Sequence, residues 1–302
     1  MLQDASHTGT DVSFSIGEVK VRVEDPGRCW RFGPEDPHQR FVVEKNGKAD
    51  ISIRVNRGRA PGRSSGTPVY STEGGLWNLF RDGGDLVFAL GAPAENGAIH
   101  RVARVDAGVS SGEVIVTPEG DRPGFHPYPL RYPLDELLMI NHLSKGRGAI
   151  VHACGVVTPD GEGWLFVGRS GAGKSTLSDL WAGQAGADLL SDDRVIVRPS
   201  ESGFHMYGTP WHGDAGASSP VSAPLTRVFL LNHGDSNRLV PASPEDAAET
   251  ILLNCFAPFY DAEGMQWTLQ MLGDMVERCP VDQFHFLPDS TAISYLLEEE
   301  RK

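Results

Sequence analysis

The stretch Gly168-Arg169-Ser170-Gly171-Ala172-Gly173-Lys174-Ser175-Thr176 decides how this chain reads. It matches the P-loop pattern G-x-x-x-x-G-K-[ST] at every position. Before it, Gly163-Trp164-Leu165-Phe166-Val167 reads as a buried strand. After it, Ser175 to Trp181 reads as the start of a helix. The motif needs that context, because glycines must turn backbone N–H groups inward around a phosphate chain while the new helix adds its positive end. On this reading Gly168, Ser170, Gly171, Ala172, Gly173, Lys174, Ser175 and Thr176 bind the cofactor, ATP. Lys174 reaches the β- and γ-phosphates, and the Ser175 hydroxyl helps hold Mg²⁺. The alternative is an ordinary glycine turn between a strand and a helix, against which the Lys174-Ser175 pair and its context both weigh.

Composition narrows the classes further. The chain has 302 residues and a net charge of −13, most of it carried by residues 131–302. So acidic a half is a poor nucleic-acid binder, since that role rests on neutralising phosphates. No apolar run approaches a membrane span, and Met1 to Thr10 is polar and lacks a signal-peptide pattern. The cysteines Cys29, Cys154, Cys255 and Cys279 lie far apart with no C-x-x-C pair. That argues against a zinc site or a disulfide scaffold and is consistent with a cytoplasmic protein.

The pattern of residues changes near 130, which predicts two domains, 1–130 and 131–302. In the first, Asp11–Ile16, Val19–Val23 and Ile51–Val55 alternate at the period of a half-buried strand. Asp85–Leu90, Ile99–Val105 and Glu113–Val116 are further strand candidates. This is a smaller β-rich domain with no catalytic constellation. The basic residues Arg54, Arg57, Arg59 and Arg63 read either as a docking patch or as a solvated hairpin loop, and composition favours the loop. A proline-rich boundary spans Asp121–Tyr132. Beyond it a helix is predicted from Pro133 to Ser144, with Leu134, Leu137, Leu138 and Ile140 as its apolar face. From there strands and helices mix. Ala149–His152, Cys154–Val157, Ala187–Leu190, Arg194–Val197, Leu225–Asn232 and Val281–Phe286 are the predicted strands. Pro244–Cys255 (capped by Ser243), Gly264–Glu277 and Thr291–Glu299 are the predicted helices.

A second motif follows the phosphate loop closely. Ser191-Asp192-Asp193-Arg194 places paired aspartates only 18 residues beyond Lys174. ABC-type ATPases share a similar loop but carry a Leu-Ser-Gly-Gly-Gln signature and a distant acidic strand, neither of which is present. The short spacing, with His152 on a strand 16 residues before Gly168, resembles the catalytic domain of the bacterial HPr kinase/phosphorylase family. The likeness covers about residues 133–300. It implies an α/β P-loop fold related to phosphoenolpyruvate carboxykinase, preceded here by the smaller β-rich domain. It also implies an ATP-dependent kinase acting on a hydroxyl, serine first, of a protein or peptide. A small-molecule kinase on the same fold and a non-catalytic nucleotide-sensing module remain open alternatives. The chain departs from the family at Thr176, where an acidic residue is usual. The family's glycine-rich phosphorylase segment and its N-terminal domain find no obvious match. HPr is therefore not an inferred substrate.

The resemblance also assigns roles. Asp192 is the expected general base, Asp193 the expected Mg²⁺ ligand together with Ser175, and the two aspartates are exchangeable. His152 is expected to orient Asp192 or touch the transferred phosphate, making Asp192, Lys174 and His152 the catalytic set. The competing reading of the aspartates is a strand-end pair capping a turn. Arg194 reads as an ion-pair partner ahead of a phosphate ligand. The glycine-rich segment 208–219 reads either as a lid or acceptor-binding loop with Trp211 and His212 as contacts, or as a surface connection with Trp211 in the core. Cys154 reads as packing. The family assembles as hexamers, so a homo-oligomer is compatible with the resemblance.

Overall fold

The computed structural model describes residues 8–9, 11–26, 30–32, 36–61, 66–92, 98–117 and 128–300. Cys29, Arg63 and the part of the expected boundary at 121–127 lie outside them. The chain divides into two compact units, Met1–His142 and Leu143–Lys302, each built on a large sheet with few helices, so the protein is of mixed α/β class. Among the described residues no helix is long and apolar enough to cross a membrane.

Alternation at period two becomes paired strands in the first unit. Strands β1 (Thr8–Gly9), β2 (Asp11–Ile16), β3 (Val19–Glu24) and β4 (Trp30–Arg31) come first. Next are β5 (Val42–Val43), β6 (Ile51–Arg57), β7 (Thr67–Ser71), β8 (Trp77–Asp82), β9 (Asp85–Ala92), β10 (Ala98–Val105) and β11 (Ser111–Val116). Nine of them form one sheet in the order β5-β2-β3-β6-β11-β10-β9-β8-β7, while β1 and β4 pair separately. Hairpin β2–β3 sets Val12 opposite Val23 and Phe14 opposite Val21. Its two turn residues, Gly17 and Glu18, both have positive φ (58° and 59°), as a two-residue primed turn demands. Strand β6 lies in mid-sheet and β7 at the edge, so the two strands flanking Arg59 are not paired as a hairpin. Arg57 itself is structural: its Nε donates to Asp25 Oδ2 at 3.1 Å, and the Asp25 side chain is fully buried.

The two units divide at His142/Leu143, twelve residues past the expected boundary at 130, so helix α1 (Leu134–Leu143) lies in the first unit except for its last residue. It is buried almost all round, where the sequence predicts one apolar face. Its polar residues find partners instead. His142 Nδ1 donates to Val109 O at 3.0 Å, and Asp135 Oδ2 meets His38 Nε2 at 2.8 Å. The other ring nitrogen of His38 faces Asp36 Oδ1, also at 2.8 Å. Two carboxylates on opposite nitrogens require both to carry protons. Burial alone would depress the imidazolium, but the hydrogen bonds and charges of Asp135 and Asp36 push it up from 6.5 to about 9. Phe14, Phe32 and Tyr128 wall the ring.

The second unit contains β12 (Ala149–Val157), β13 (Gly163–Val167), α2 (Lys174–Ala182), β14 (Asp188–Ser191), β15 (Arg194–Ser200), β16 (Gly203–Tyr207) and β17 (Ser222–His233). These are followed by β18 (Arg238–Pro241), α3 (Pro244–Leu253), α4 (Ala262–Arg278), β19 (Val281–Phe286) and α5 (Thr291–Glu299). The two strands predicted over 149–157 are one, buried on both faces. Strand β13 pairs with β12 on one side and β17 on the other, and β12–β15, β15–β16 and β16–β17 complete a closed circuit of five strands. Alternate residues sort to two cores. Leu165, Val167, Val228 and Leu230 pack with Ile251 of α3 and Met271 and Met275 of α4. Trp164, Phe166, Phe229 and Phe284 pack with Leu177 and Trp181 of α2 and Ile293 and Leu296 of α5. Ser243 caps α3 as its sequence predicts, accepting from Asp246 N–H at 3.1 Å.

Candidate functional site

The buried run of β13 ends at Gly168, and the chain turns through the glycine loop into α2. Gly173, at the helix N-cap, has φ 99°, and a Cβ there would lie 2.6 Å from the Phe286 ring. Only glycine meets both conditions. Lys174 is buried, and its Nζ donates to Gly168 O at 2.6 Å and Arg169 O at 3.4 Å. Burial lowers its pKa below the usual lysine value, and the Asp193 carboxylate opposes that only in part. Ala172 N–H donates to Arg169 O at 3.0 Å. His233, the last residue of β17, donates from Nε2 to Gly171 O at 2.8 Å.

Strands β14 and β15 run antiparallel along β12 as one strand interrupted at Asp192-Asp193. Ser191 shapes the interruption, its Oγ accepting from the N–H of Asp193 (3.2 Å) and Arg194 (3.0 Å). The two carboxylates then part company. Asp192, only 3 % exposed, accepts from Gly213 N–H on Oδ1 (2.9 Å) and from Ala215 N–H on Oδ2 (2.8 Å). Asp193 meets His152 Nε2 on Oδ1 at 2.8 Å and the Arg194 guanidinium on Oδ2. Burial raises the Asp193 carboxyl, but the His152 hydrogen bond and the charges of Arg194, His152 and Lys174 hold it below the usual carboxylate value. Arg194 also lies over the Phe256 ring, 5.0 Å from its centroid. Gly213 approaches so closely that a Cβ would lie 2.9 Å from Asp192 Oδ2 and 3.2 Å from Asp193 Cβ.

These parts converge on one cleft of about 490 Å³. His152, Lys174, Ser175, Asp192 and Asp193 all line it, as do Ser170, Gly171, Gly173 and Thr176. Gly168 and Ala172, expected in the same set, sit behind the loop. Gly168 serves Lys174 with its carbonyl, and Ala172 spends its N–H inside the turn. Arg169 is exposed, and Arg194 is an ion-pair partner. Trp211 is buried, while His212 is exposed with Nδ1 directed to Gly213 O. Cys154 is buried in the core beneath the loop, its thiol pushed up to about 12 chiefly by burial, so it packs and is no nucleophile.

Four contributors escape sequence reasoning: Ser191, Gly213, Asp214 and His233. Ser191 carries a local signal, a serine followed by two residues whose amides it can hold. Gly213 and Asp214 belong to the 208–219 segment, which the sequence offers as a lid without singling out these two residues, and only the fold reveals His233. Among the described residues no cluster of three or more His, Cys, Asp or Glu could hold a metal by itself. Asp193 and Ser175, the expected Mg²⁺ donors, both line the cleft, with the two Asp193 oxygens engaged by His152 and Arg194. No protein-family model matches the chain, and no curated protein matches it.

Proposed function

We propose that this chain is an ATP-dependent phosphotransferase of HPr kinase/phosphorylase-like type, acting on a hydroxyl, serine first, of a protein or peptide. The observation that carries the reading is a single cleft shared by a phosphate-loop lysine and serine, a carboxylate pair and a histidine. Phosphoryl transfer asks for positioned charge more than covalent chemistry, and these residue types supply it. Lys174 leaves the Gly168 carbonyl to meet the β- and γ-phosphates. Ser175 and Asp193 would hold Mg²⁺, which neutralises phosphate charge when bound. His152 keeps Asp193 oriented. Asp192 accepts the proton of the attacking hydroxyl; its two amide bonds leave lone pairs free on both oxygens. The acceptor oxygen bonds to the γ-phosphorus, the bond to the bridging oxygen breaks, and ADP departs. Among the described residues, the free, buried thiols Cys154, Cys255 and Cys279 suit the reducing cytoplasm in which this reading places the protein.

A second reading has one observation in its favour. Both Asp192 oxygens are already held by the 213–215 backbone, as they would be in a loop clamp of a nucleotide-sensing module. Transfer of labelled γ-phosphate from ATP with Mg²⁺ into a lysate of the source organism separates the two. The kinase reading expects a labelled protein or peptide with the wild type and none with Lys174→Ala or Asp192→Asn. A labelled metabolite would make it a small-molecule kinase. ATP binding without any labelled product would leave the sensing module, and no ATP binding would remove both readings.

A further inference from the structure

His233 stands outside every motif in the sequence, yet it touches the centre of the phosphate loop. It closes β17, in parallel register with Phe286 of β19. Immediately after it the chain turns, with Gly234 N–H donating to Phe286 O at 3.2 Å. The turn leaves no room for a side chain at 234, where a Cβ would lie 2.9 Å from Ser236 O and 3.0 Å from His285 Cβ. The backbone that presents His233 is thus fixed on both sides.

The imidazole is backed by the Phe286 ring, nearly parallel at 24° with centroids 6.5 Å apart. The same Phe286 ring fills the space that a Cβ at Gly173 would need. On its polar side Nε2 sits 2.8 Å from Gly171 O. A carbonyl can only accept, so Nε2 carries the proton. The peptide unit that His233 holds by its oxygen is held at its other end by Ala172 N–H, which donates to Arg169 O at 3.0 Å. Both ends of the Gly171–Ala172 peptide are therefore tied. A glycine loop pays its conformational entropy when it binds phosphate, and a loop tied beforehand has paid part of it already. His233 also lines the cleft, on the phosphate-loop side.

We propose that His233 is a positioning residue of the phosphate loop, fixing the Gly171–Ala172 peptide so that the loop is preformed for a nucleoside triphosphate. The inference rests on the reading of Gly168–Thr176 as a nucleotide site. Wild type, His233→Ala, His233→Gln and Lys174→Ala would be titrated with ATP and Mg²⁺ by calorimetry, and the His233 variants assayed for transfer. Loss of one neutral hydrogen bond predicts ATP binding weaker by about three- to tenfold in His233→Ala. KM for ATP should rise in step while kcat stays within about twofold. The Gln variant, whose amide can still donate to Gly171 O, should bind as wild type does. The melting temperature without nucleotide should fall by no more than about 4 °C in His233→Ala, the share of one hydrogen bond, and match wild type in His233→Gln.

Unchanged ATP binding in His233→Ala, with Lys174→Ala binding none, overturns the inference and leaves the nucleotide site standing. Equal weakening in the Ala and Gln variants overturns it too, since the donor would then be irrelevant. So does a fall in ligand-free melting temperature well beyond one hydrogen bond's share in His233→Ala, since the weakening would then reflect general loss of structure. If the wild type binds no ATP, the nucleotide reading falls and the inference falls with it.

Discussion

Replacing His38 by glutamine tests how the first unit is held together. In the native chain the imidazolium sits between Asp36 and Asp135 and joins the segment before β5 to α1. Its proton affinity rises from 6.5 in the open chain to about 9 in the folded one. A difference of that size corresponds to about 3 kcal/mol of folding free energy. The sign follows from the direction. A group that binds its proton more tightly when folded contributes in full below pH 6.5 and loses that contribution as pH rises through 9. Urea denaturation of wild type and His38→Gln, followed by circular dichroism from pH 6 to pH 10, reads the effect as a difference at each pH. The gap in stability should be widest at pH 6, shrink by about 3 kcal/mol across the range, and level off near pH 10. Nuclear magnetic resonance of the His38 ring supplies the second check, with a titration midpoint near 9. A stability gap that stays flat over this range, or a ring that titrates near 6.5, would refute the reasoning.

Two further substitutions probe other parts. Gly213→Ala puts a methyl group against Asp192 and pushes the 213–215 backbone away from it; phosphoryl transfer should fall about 10- to 100-fold with ATP affinity held. A loss of ATP affinity with transfer per bound nucleotide preserved would contradict the assignment of Asp192 to the acceptor side. Arg57→Ala leaves the fully buried Asp25 carboxylate without its partner and should lower stability by about 3–5 kcal/mol in urea denaturation. Asp25→Leu combined with Arg57→Met should be milder; if the double variant is as unstable as the single one, the charge pair is not the cause.

Much of this architecture is legible from the chain because the signals are local. Glycines, the Lys-Ser pair and a five-residue apolar run mark the β13–loop–α2 passage, and helical spacing marks α4 and α5. Strands β7 and β18 escape because they are short and largely exposed, so one face is not sorted from the other. Pro68 in β7 also reads as a break, although an edge strand tolerates it. Strand β12 divides into two on paper since both of its faces are buried and no alternation survives. In the cleft, the aspartate pair is visible through its spacing from Lys174, and His152 only through the family resemblance. Gly213 and His233 are not: an amide 21 residues beyond Asp192 and an imidazole 62 residues beyond Gly171 meet their targets only through pairing of strands.

Phe286 ties the glycine loop between β13 and α2 to the order in which the protein is made. The loop is complete in sequence at Thr176, but the ring that Gly173 and His233 lean on belongs to β19, 110 residues later. At the pace of a ribosome that interval lasts roughly 5 to 20 seconds. During it the loop exists without its wall, and its glycines are free to sample other turns. A nascent chain acquires its finished loop only when β19 docks beside β17. Fragments ending before Phe286 carry the whole motif but lack the wall that shapes it.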